Sequence, residues 1–189
     1  MKKYILYAGV NGSEKSTLYY TTNEYDGLPR VNTDEIVATF GDWRNSSDVV
    51  KAGKIAIKKI KEYFSNGQSF VQETTLCGKS IVSNISYAKE NGYEVIIHYV
   101  GVESVEIAKE RILKRVSMGG HGIPDKDVER RYTESLKNLS KIIPCCDEIY
   151  FFDNTDTFRH IATINKGVLV SRKNDLPMWF QNIKKEWKY

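Results

Sequence analysis

Short apolar runs alternate with longer amphipathic stretches along most of the chain. The apolar runs predict strands, which lie at Tyr4–Ala8, Arg30–Asn32, Ser69–Glu73, Glu94–Val100 and Glu148–Phe152. Between them, apolar side chains that recur every three or four residues predict helices, as in the long stretch Ser47–Asn66. Alternating strands and helices are typical of an α/β domain built on a parallel sheet. We therefore predict a five-stranded parallel sheet flanked by helices.

The remaining helices are predicted from the same periodicity and from their end signals. They lie at Ser16–Tyr20, Ser80–Asn91, Ser104–Met118 and Asp125–Ile142, with a brief helix that starts at Asp34 and is capped by Thr33. The last part of the chain departs from the alternation, since it suggests a β-hairpin at Arg159–Thr163 and Val168–Ser171 and a final helix at Pro177–Trp187. We predict a single domain over residues 1–189, with a C-terminal extension at about 156–189.

The bulk composition is that of a globular protein with one core. The chain has 189 residues, 41% of them hydrophobic and 28% charged, and its formal net charge is +4. The basic run Lys184–Lys188 is interpreted as a solvated helix face. Because no recognised nucleic-acid-binding module accompanies it, we do not expect a nucleic-acid partner.

Cysteine usage and the apolar run lengths indicate a cellular compartment. Cys77, Cys145 and Cys146 form neither an even set nor a C-x-x-C motif, which argues against a disulfide framework or a zinc site. The first apolar run is too short for a signal peptide, and no stretch has the length of a membrane span. We therefore expect reduced thiols in a cytoplasmic protein with no membrane partner.

The segment Gly9–Thr17 nearly matches a phosphate-binding loop. Gly9, Lys15 and Ser16 satisfy the pattern G-x-x-x-x-G-K-[ST], between a predicted strand and a predicted helix. Backbone N–H groups of such a loop converge on phosphate oxygens, the lysine reaches the β- and γ-phosphates, and the hydroxyl ligates Mg²⁺. Ser16 is thus the expected metal ligand. The expected nucleotide contacts are Gly9, Asn11, Gly12, Ser13, Lys15, Ser16 and Thr17.

One position departs from the pattern, because Glu14 stands where glycine is expected. A left-handed backbone there would cost glutamate ~1–2 kcal/mol. A carboxylate ~4 Å from a phosphate would add roughly 4 kcal/mol of repulsion at an intermediate dielectric. An acidic residue in the first turn of a helix is mildly favourable, however, and its side chain can point to solvent. The alternative to a working loop is therefore a weakened or non-binding one.

Two carboxylates follow predicted strands, at the edge where open α/β sheets bind their ligands. Asp34 follows Arg30–Thr33, and Glu73 ends the strand at Ser69–Glu73. A carboxylate near an acceptor hydroxyl can orient it and take its proton as a phosphoryl group moves. From spacing alone two simpler roles stay open: Asp34 as a first-turn acid beside the cap, and Glu73 as an exposed strand-end residue.

Basic residues gather on the two predicted helices that flank the loop Gly119–Pro124. They are Arg111, Lys114, Arg115, Arg130 and Arg131. Two helices hinged at the loop glycines would form a lid at about 115–131, whose arginines stabilise charge on a transferring phosphate. The alternative is that they are surface arginines of amphipathic helices. His121 is interpreted as a loop residue that positions the turn.

Taken together, these motifs resemble the zeta toxin family of P-loop kinases. The resemblance rests on Gly9–Thr17, Asn32–Ile36, Phe70–Gly78, Arg115–Pro124 and Arg130–Tyr132, in this order. It covers about Tyr4 to Phe152 and is greatest to the short, stand-alone bacterial members, whose loop usually reads Ala-Gly-x-Asn-Gly-x-Gly-Lys-Ser-Thr. The departure is Glu14, at the position of the family's last loop glycine.

The resemblance implies a P-loop kinase fold and phosphoryl transfer from ATP, or a related nucleotide, to a small-molecule hydroxyl. In the best-known members the acceptor is the 3′-hydroxyl of UDP-N-acetylglucosamine. By position, Lys15 and Ser16 would bind phosphate and Mg²⁺, and Asp34 would be the general base. Glu73, with Thr74 nearby, would hold the acceptor or a metal-bound water. Arg115 and Arg130 or Arg131 would clamp the γ-phosphate.

Two classes of function follow from the sequence. The first is an ATP-dependent small-molecule kinase, with acceptor contacts from the loops Asp42–Ser46 and Cys77–Lys79. The second is a non-catalytic nucleotide-binding or interaction protein, weakened by Glu14. Some members of the resembling family have an antitoxin partner, and no feature of this sequence indicates one.

Overall fold

The computed structural model describes residues 1–171 and 174–187. Its strands are β1 (Lys2–Gly9), β2 (Arg30–Val31), β3 (Phe70–Thr74), β4 (Tyr93–Gly101), β5 (Glu148–Asp153), β6 (Arg159–Asn165) and β7 (Val168–Ser171). Its helices are α1 (Lys15–Thr22), α2 (Thr33–Ala38), α3 (Ser46–Ser65), α4 (Lys79–Glu90), α5 (Val105–Ser117), α6 (Asp125–Ile142) and α7 (Met178–Glu186), with a 3₁₀ turn at Ile143–Cys145. Residues 172–173 and 188–189 of the predicted extension, including Lys188 of the basic run, lie outside the described residues.

All of these strands form one sheet, in the order β2-β3-β1-β4-β5-β6-β7. The first five are parallel, and β6 and β7 are antiparallel. The predicted α/β fold is confirmed, but the sheet has seven strands where we predicted five. The reason is that the predicted hairpin pairs along β5 and buries Ile161, Ala162 and Ile164, so it extends the core.

The larger apolar core covers one face of the sheet. Tyr4, Leu6 and Phe151 project from the strands into this core, which α3, α4, α6 and α7 complete with apolar side chains. α7 is anchored twice, since the Phe180 ring lies 4.9 Å from that of Phe151 and Trp179 Nε1 donates to the buried Asp153 Oδ1 at 2.9 Å. The C-terminal helix is therefore an integral part of the core.

The start of α2 corrects one prediction. The cap is Asn32, not Thr33, because Asn32 has the extended backbone of a cap (φ −129°, ψ 116°) and Thr33 is already helical. The Asn32 Oδ1 atom accepts from the backbone N–H of Asp34 at 2.9 Å. This cap fixes the first turn of α2, and with it the position of Asp34.

The opposite face of the sheet contains a buried histidine. On β4, the His98 ring stacks between Tyr7 at 4.8 Å and Tyr150 at 5.0 Å, measured between ring centroids. Among the described residues, neither of its ring nitrogens has a hydrogen-bond partner. Burial lowers the pKa of His98 to about 4, and His160 acts in the same direction. His98 is therefore neutral in the folded protein at pH 7.

This burial predicts that acid destabilises the fold through His98. The ordinary pKa of 6.5 lies above the folded value of about 4, so the unfolded chain binds the extra proton first as the pH falls. Between pH 7 and pH 5 the free energy of unfolding should fall by about 2 kcal/mol from this residue alone. Urea unfolding of the wild type and of His98→Phe, at pH 7 and at pH 5, measures this change in the free energy of unfolding. Equal pH dependence in the two proteins would contradict the prediction.

Candidate active site

A cleft of about 1350 Å³ opens at the carboxyl ends of β1, β2 and β3. Its floor is the loop between β1 and α1. One wall is formed by α2, the start of α3 and the loop between them, and the other by α5, α6 and their connection. The predicted site residues that line this cleft are Asn11, Gly12, Lys15, Ser16, Asp34, Glu73, Thr74, Arg115, Arg130 and Arg131.

Two glycines allow the floor loop to pack closely against its neighbours. A Cβ atom on Gly9 would lie 2.1 Å from the carbonyl oxygen of Val100, and one on Gly12 would lie 2.6 Å from that of Ala108. Both positions have positive φ, 143° and 75°. Ser13 is buried in the loop, whereas Thr17 is exposed in the first turn of α1. The loop connects β1 to α1, which is the strand–loop–helix context that the sequence motif predicts.

The Lys15 side chain is buried under the loop. Its Nζ atom donates to the carbonyl oxygen of Val10 at 3.0 Å. Burial lowers the pKa of the Lys15 ammonium, and the carboxylates of Glu73 and Asp34 act in the opposite direction. The ammonium thus lies in a desolvated position, where its attraction for an added anion is less screened than at the surface.

Glu73 lies beside the first turn of α1. The parallel register pairs Tyr7 with Glu73 and Ala8 with Thr74, which brings the end of β3 next to the floor loop. The Ser16 hydroxyl donates to both carboxylate oxygens of Glu73, at 2.8 and 3.0 Å. Because Ser16 is the expected Mg²⁺ ligand, a metal here would have a carboxylate next to it.

Arg30 holds the Glu73 carboxylate from the other side, and sequence reasoning missed it. Its Nη2 atom donates to Glu73 Oε2 at 2.5 Å, and Asn32 Nδ2 donates to the same oxygen at 3.1 Å. Its guanidinium also lies 4.2 Å above the ring of Tyr19. The signal in the sequence was a basic residue in a short strand, which we interpreted only as part of β2.

The two other predicted acceptor-side residues differ in their surroundings. The Asp34 carboxylate is 53% exposed and faces the Nε2 atom of His121 at 3.8 Å. The Thr74 hydroxyl oxygen accepts from the backbone N–H of Leu76 at 3.0 Å, so it shapes the turn after β3. Asp34 is therefore the more accessible of the two to a bound hydroxyl.

Glu14 adopts the conformation that the motif reserves for glycine. Its φ and ψ are 69° and 41°, in the left-handed region. The side chain is exposed and lines the cleft beside Lys15. Within the described part of the chain no basic group forms an ion pair with it. A bound polyphosphate would therefore meet an unneutralised carboxylate.

The arginines of the cleft differ in their partners: some donate to backbone carbonyl oxygens, and one pairs with carboxylates. Arg115 donates from Nε to the carbonyl oxygen of His121 at 2.7 Å, and Arg111 donates from Nη2 to that of Thr155 at 2.8 Å. Each has one further buried nitrogen, Nη2 and Nη1 respectively, without a partner among the described residues. Arg130 instead pairs with Asp127 and Glu134, at 2.9 and 3.0 Å, and its side chain is 57% exposed.

These unsatisfied donors fit an anionic group in the cleft, since buried polar atoms in folded proteins are normally paired.

The cleft offers few protein ligands for a metal ion. Among the described residues no group of three or more His, Cys, Asp or Glu side chains could hold a metal ion. A Mg²⁺ ion would thus depend on phosphate oxygens and water for most of its ligands, which is its usual preference. Ser16 and Glu73 are the protein groups placed to complete its coordination.

The loops expected to contact an acceptor both reach the cleft. Trp43, Arg44 and Ser46 line it from the first loop, and Cys77 and Gly78 from the second. His121 also lines it, although we interpreted this residue only as positioning its turn. The signal was its place between the glycines of the loop that joins the two arginine-bearing helices.

A model of the Zeta toxin family matches residues 1–166. The chain belongs to the zeta toxin family. This zeta toxin family member is 35% identical, over 130 residues, to an uncharacterized protein of Haemophilus influenzae, across 69% of its own length and 92% of that relative.

Several solved structures have a similar fold. The zeta toxin family member matches a chain in the crystal structure of AvrRxo1-ORF1:-ORF2 with ATP at a TM-score of 0.74 and 15% identity, over 100% of its own length and 65% of that chain. It also matches a chain of the PezAT chromosomal toxin–antitoxin system of Streptococcus pneumoniae, at a TM-score of 0.65 and 16% identity. That match covers 98% of its own length and 85% of the PezAT chain. At these identities the likeness shows the fold.

Membership of the zeta toxin family supports a nucleotide-dependent, kinase-like function. The zeta toxin family member covers only 65% of the length of the AvrRxo1 chain that it resembles.

Among the residues that the structure describes, no helix is both long enough and apolar enough to cross a bilayer.

The contact between Arg30 and Glu73 predicts a measurable coupling. Their side chains are only 10% and 12% exposed, so Arg30→Met leaves a poorly hydrated carboxylate with the weaker donors Ser16 and Asn32. We expect the free energy of unfolding to fall by roughly 1–3 kcal/mol. Urea unfolding of Arg30→Met, Glu73→Gln and the double variant measures the coupling. Additive losses in the double variant would mean that the pair contributes nothing.

Proposed function

We propose that this chain transfers the γ-phosphoryl group of ATP, with Mg²⁺, to a hydroxyl of a small molecule. The observation that carries the proposal is the convergence of Lys15, Ser16, Glu73 and Asp34 in one cleft, opposite arginines of α5 and α6. The first acceptor to test is UDP-N-acetylglucosamine, because of the family to which the chain belongs. We further propose that residues 1–189 form one domain with a lid at about 115–131.

Each residue has a proposed role that its position supports. Lys15 and the backbone of the floor loop hold the β- and γ-phosphates, where a desolvated ammonium gives strong attraction. Ser16 and Glu73 would hold Mg²⁺ beside the phosphates, where the ion would supply positive charge that offsets theirs. Asp34 orients the acceptor hydroxyl and takes its proton.

The proposed arginine roles follow from which donors are already engaged. Arg115 and Arg111 have buried nitrogens to spare, so they are the stronger candidates for contact with the transferring phosphate. Arg130 must first release Asp127 and Glu134, which a lid closure could achieve. Arg131 lines the same wall of the cleft.

The proposal predicts that two single substitutions stop the reaction in different ways. Lys15→Ala should weaken ATP binding and transfer together, whereas Asp34→Asn should keep ATP affinity and lower kcat by roughly a hundredfold or more. Transfer of labelled phosphate to UDP-N-acetylglucosamine, UDP-glucose, uridine and adenosine measures kcat, and calorimetry measures ATP affinity.

The matched control is Asp26→Asn, which changes an exposed carboxylate that does not line the cleft. It should behave as the wild type in both measurements. Normal ATP binding by the wild type, without transfer to any of the four acceptors, would remove this assignment of function.

The second candidate function is nucleotide binding without efficient catalysis, and the left-handed Glu14 favours it. If the carboxylate repels the phosphates, Glu14→Gly should bind ATP–Mg²⁺ at least about tenfold more tightly, since ~1.4 kcal/mol is tenfold in affinity. Glu14→Gln separates the two causes, because it removes the charge but keeps a non-glycine residue in the left-handed backbone conformation. Equal ATP affinity in all three proteins, measured by calorimetry, would dispose of this candidate.

The proposal also covers the cellular location of the protein and a protein partner. Its free thiols at Cys77, Cys145 and Cys146 are consistent with a cytoplasmic location. A protein partner of the antitoxin kind is a hypothesis that rests on family membership and on the PezAT neighbour alone.

A further inference from the structure

The imidazole of His121 faces the carboxylate proposed as the general base. His121 lies in the loop between α5 and α6, and its Nε2 atom is 3.8 Å from Asp34 Oδ1. That separation is too long for a direct hydrogen bond. The side chain of His121 is nevertheless only 20% exposed, so the ring is held in this place by its surroundings.

Three contacts fix the ring and its loop. The His121 ring lies 5.2 Å from that of Trp43, which belongs to the opposite wall of the cleft. Arg115 Nε donates to the His121 carbonyl oxygen at 2.7 Å. A Cβ atom on Gly122 would lie 2.6 Å from the Trp43 ring, so the loop packs directly on the tryptophan. The loop is therefore shaped by its backbone and by Trp43, without any need for an imidazole hydrogen bond.

A residue that only positions a turn would use its ring nitrogens within the turn. The ring nitrogen Nε2 of His121 instead faces the Asp34 carboxylate across the cleft. Burial lowers the pKa of His121; the charge of Asp34 opposes this shift, and those of Arg115 and Arg131 add to it. The imidazole is thus neutral at pH 7, with one N–H to donate and no positive charge to weaken the neighbouring base.

We infer that His121 is a second catalytic residue, which donates a hydrogen bond from Nε2–H to the acceptor hydroxyl oxygen while Asp34 accepts that hydroxyl's proton. The inference rests on the proposed kinase function. An opening of the pair by roughly 1 Å seats a hydroxyl oxygen about 2.8 Å from both atoms, with near-tetrahedral directions. One lone pair of the oxygen then remains free to point at the phosphorus.

The transfer step balances with these groups. The acceptor oxygen forms a bond to the γ-phosphorus, and the bond from that phosphorus to the β–γ bridging oxygen breaks. ADP leaves with that electron pair, and the acceptor proton passes to Asp34. His121 keeps its own proton throughout, because its task is to fix the direction of the attacking oxygen.

The test compares three proteins that differ in the donor at position 121. His121→Leu removes the N–H, whereas His121→Gln places an amide N–H at about the distance of Nε2 along the side chain. With ATP–Mg²⁺ and the best of the four acceptors, we expect His121→Leu to lower kcat by roughly tenfold to a hundredfold and His121→Gln to recover most of it. ATP affinity, measured by calorimetry, should stay within about twofold in both.

The outcomes separate this inference from the proposed function. Unchanged kcat in His121→Leu, beside an active wild type, overturns the inference and leaves the kinase assignment intact. Equal losses in both variants, with ATP affinity also reduced, indicate a role in loop structure and overturn it as well. A wild type that transfers no phosphate removes the proposed function, and this inference with it. Urea unfolding of each variant verifies that the compared proteins are folded.

Discussion

The parallel pairing of β3 with β1 is the constraint on which the site depends. It places the Glu73 carboxylate beside the first turn of α1, where Ser16 donates to it. β4 closes the other side of β1, and its Val100 carbonyl leaves no space for a side chain at Gly9. Because side chains alternate along a strand, a slip of one residue in this pairing would turn Glu73 to the opposite face.

Two charged groups of the cleft are held by neighbouring groups of the protein. Glu73 is neutralised by Arg30, and the buried Lys15 donates to the floor loop. Glu14 differs, because it lines the cleft without an ion pair among the described residues and has a backbone that glycine adopts at lower cost. The structure thus combines a closely packed glycine loop with an acidic residue in a left-handed conformation.

Much of the framework could be predicted from residue patterns, because apolar periodicity reports burial directly. The parallel strands and the helices from α3 to α6 are seen where the sequence indicated them, within a few residues at each end. The motif also indicated a loop between a strand and a helix, and the structure has one between β1 and α1.

The rest depended on contacts between residues that are distant in sequence. Arg30 meets Glu73 across 43 positions, so no local pattern could reveal it. The cap at Asn32 was misassigned because both Asn32 and Thr33 are good caps, and only the backbone angles decide between them. The pairing of the hairpin with β5 likewise required the sheet edge to be known.

Arg115 couples anion binding in the cleft to the order of the loop that contains His121. One nitrogen of its guanidinium donates to the His121 carbonyl oxygen, and another is buried without a hydrogen-bond partner among the described residues. An anion that binds the second nitrogen also restrains the first. Anion binding to Arg115 and the rigidity of the loop at His121 are therefore thermodynamically linked. Linkage is reciprocal, and a molecule that orders the loop must therefore raise affinity for the anion by the same factor.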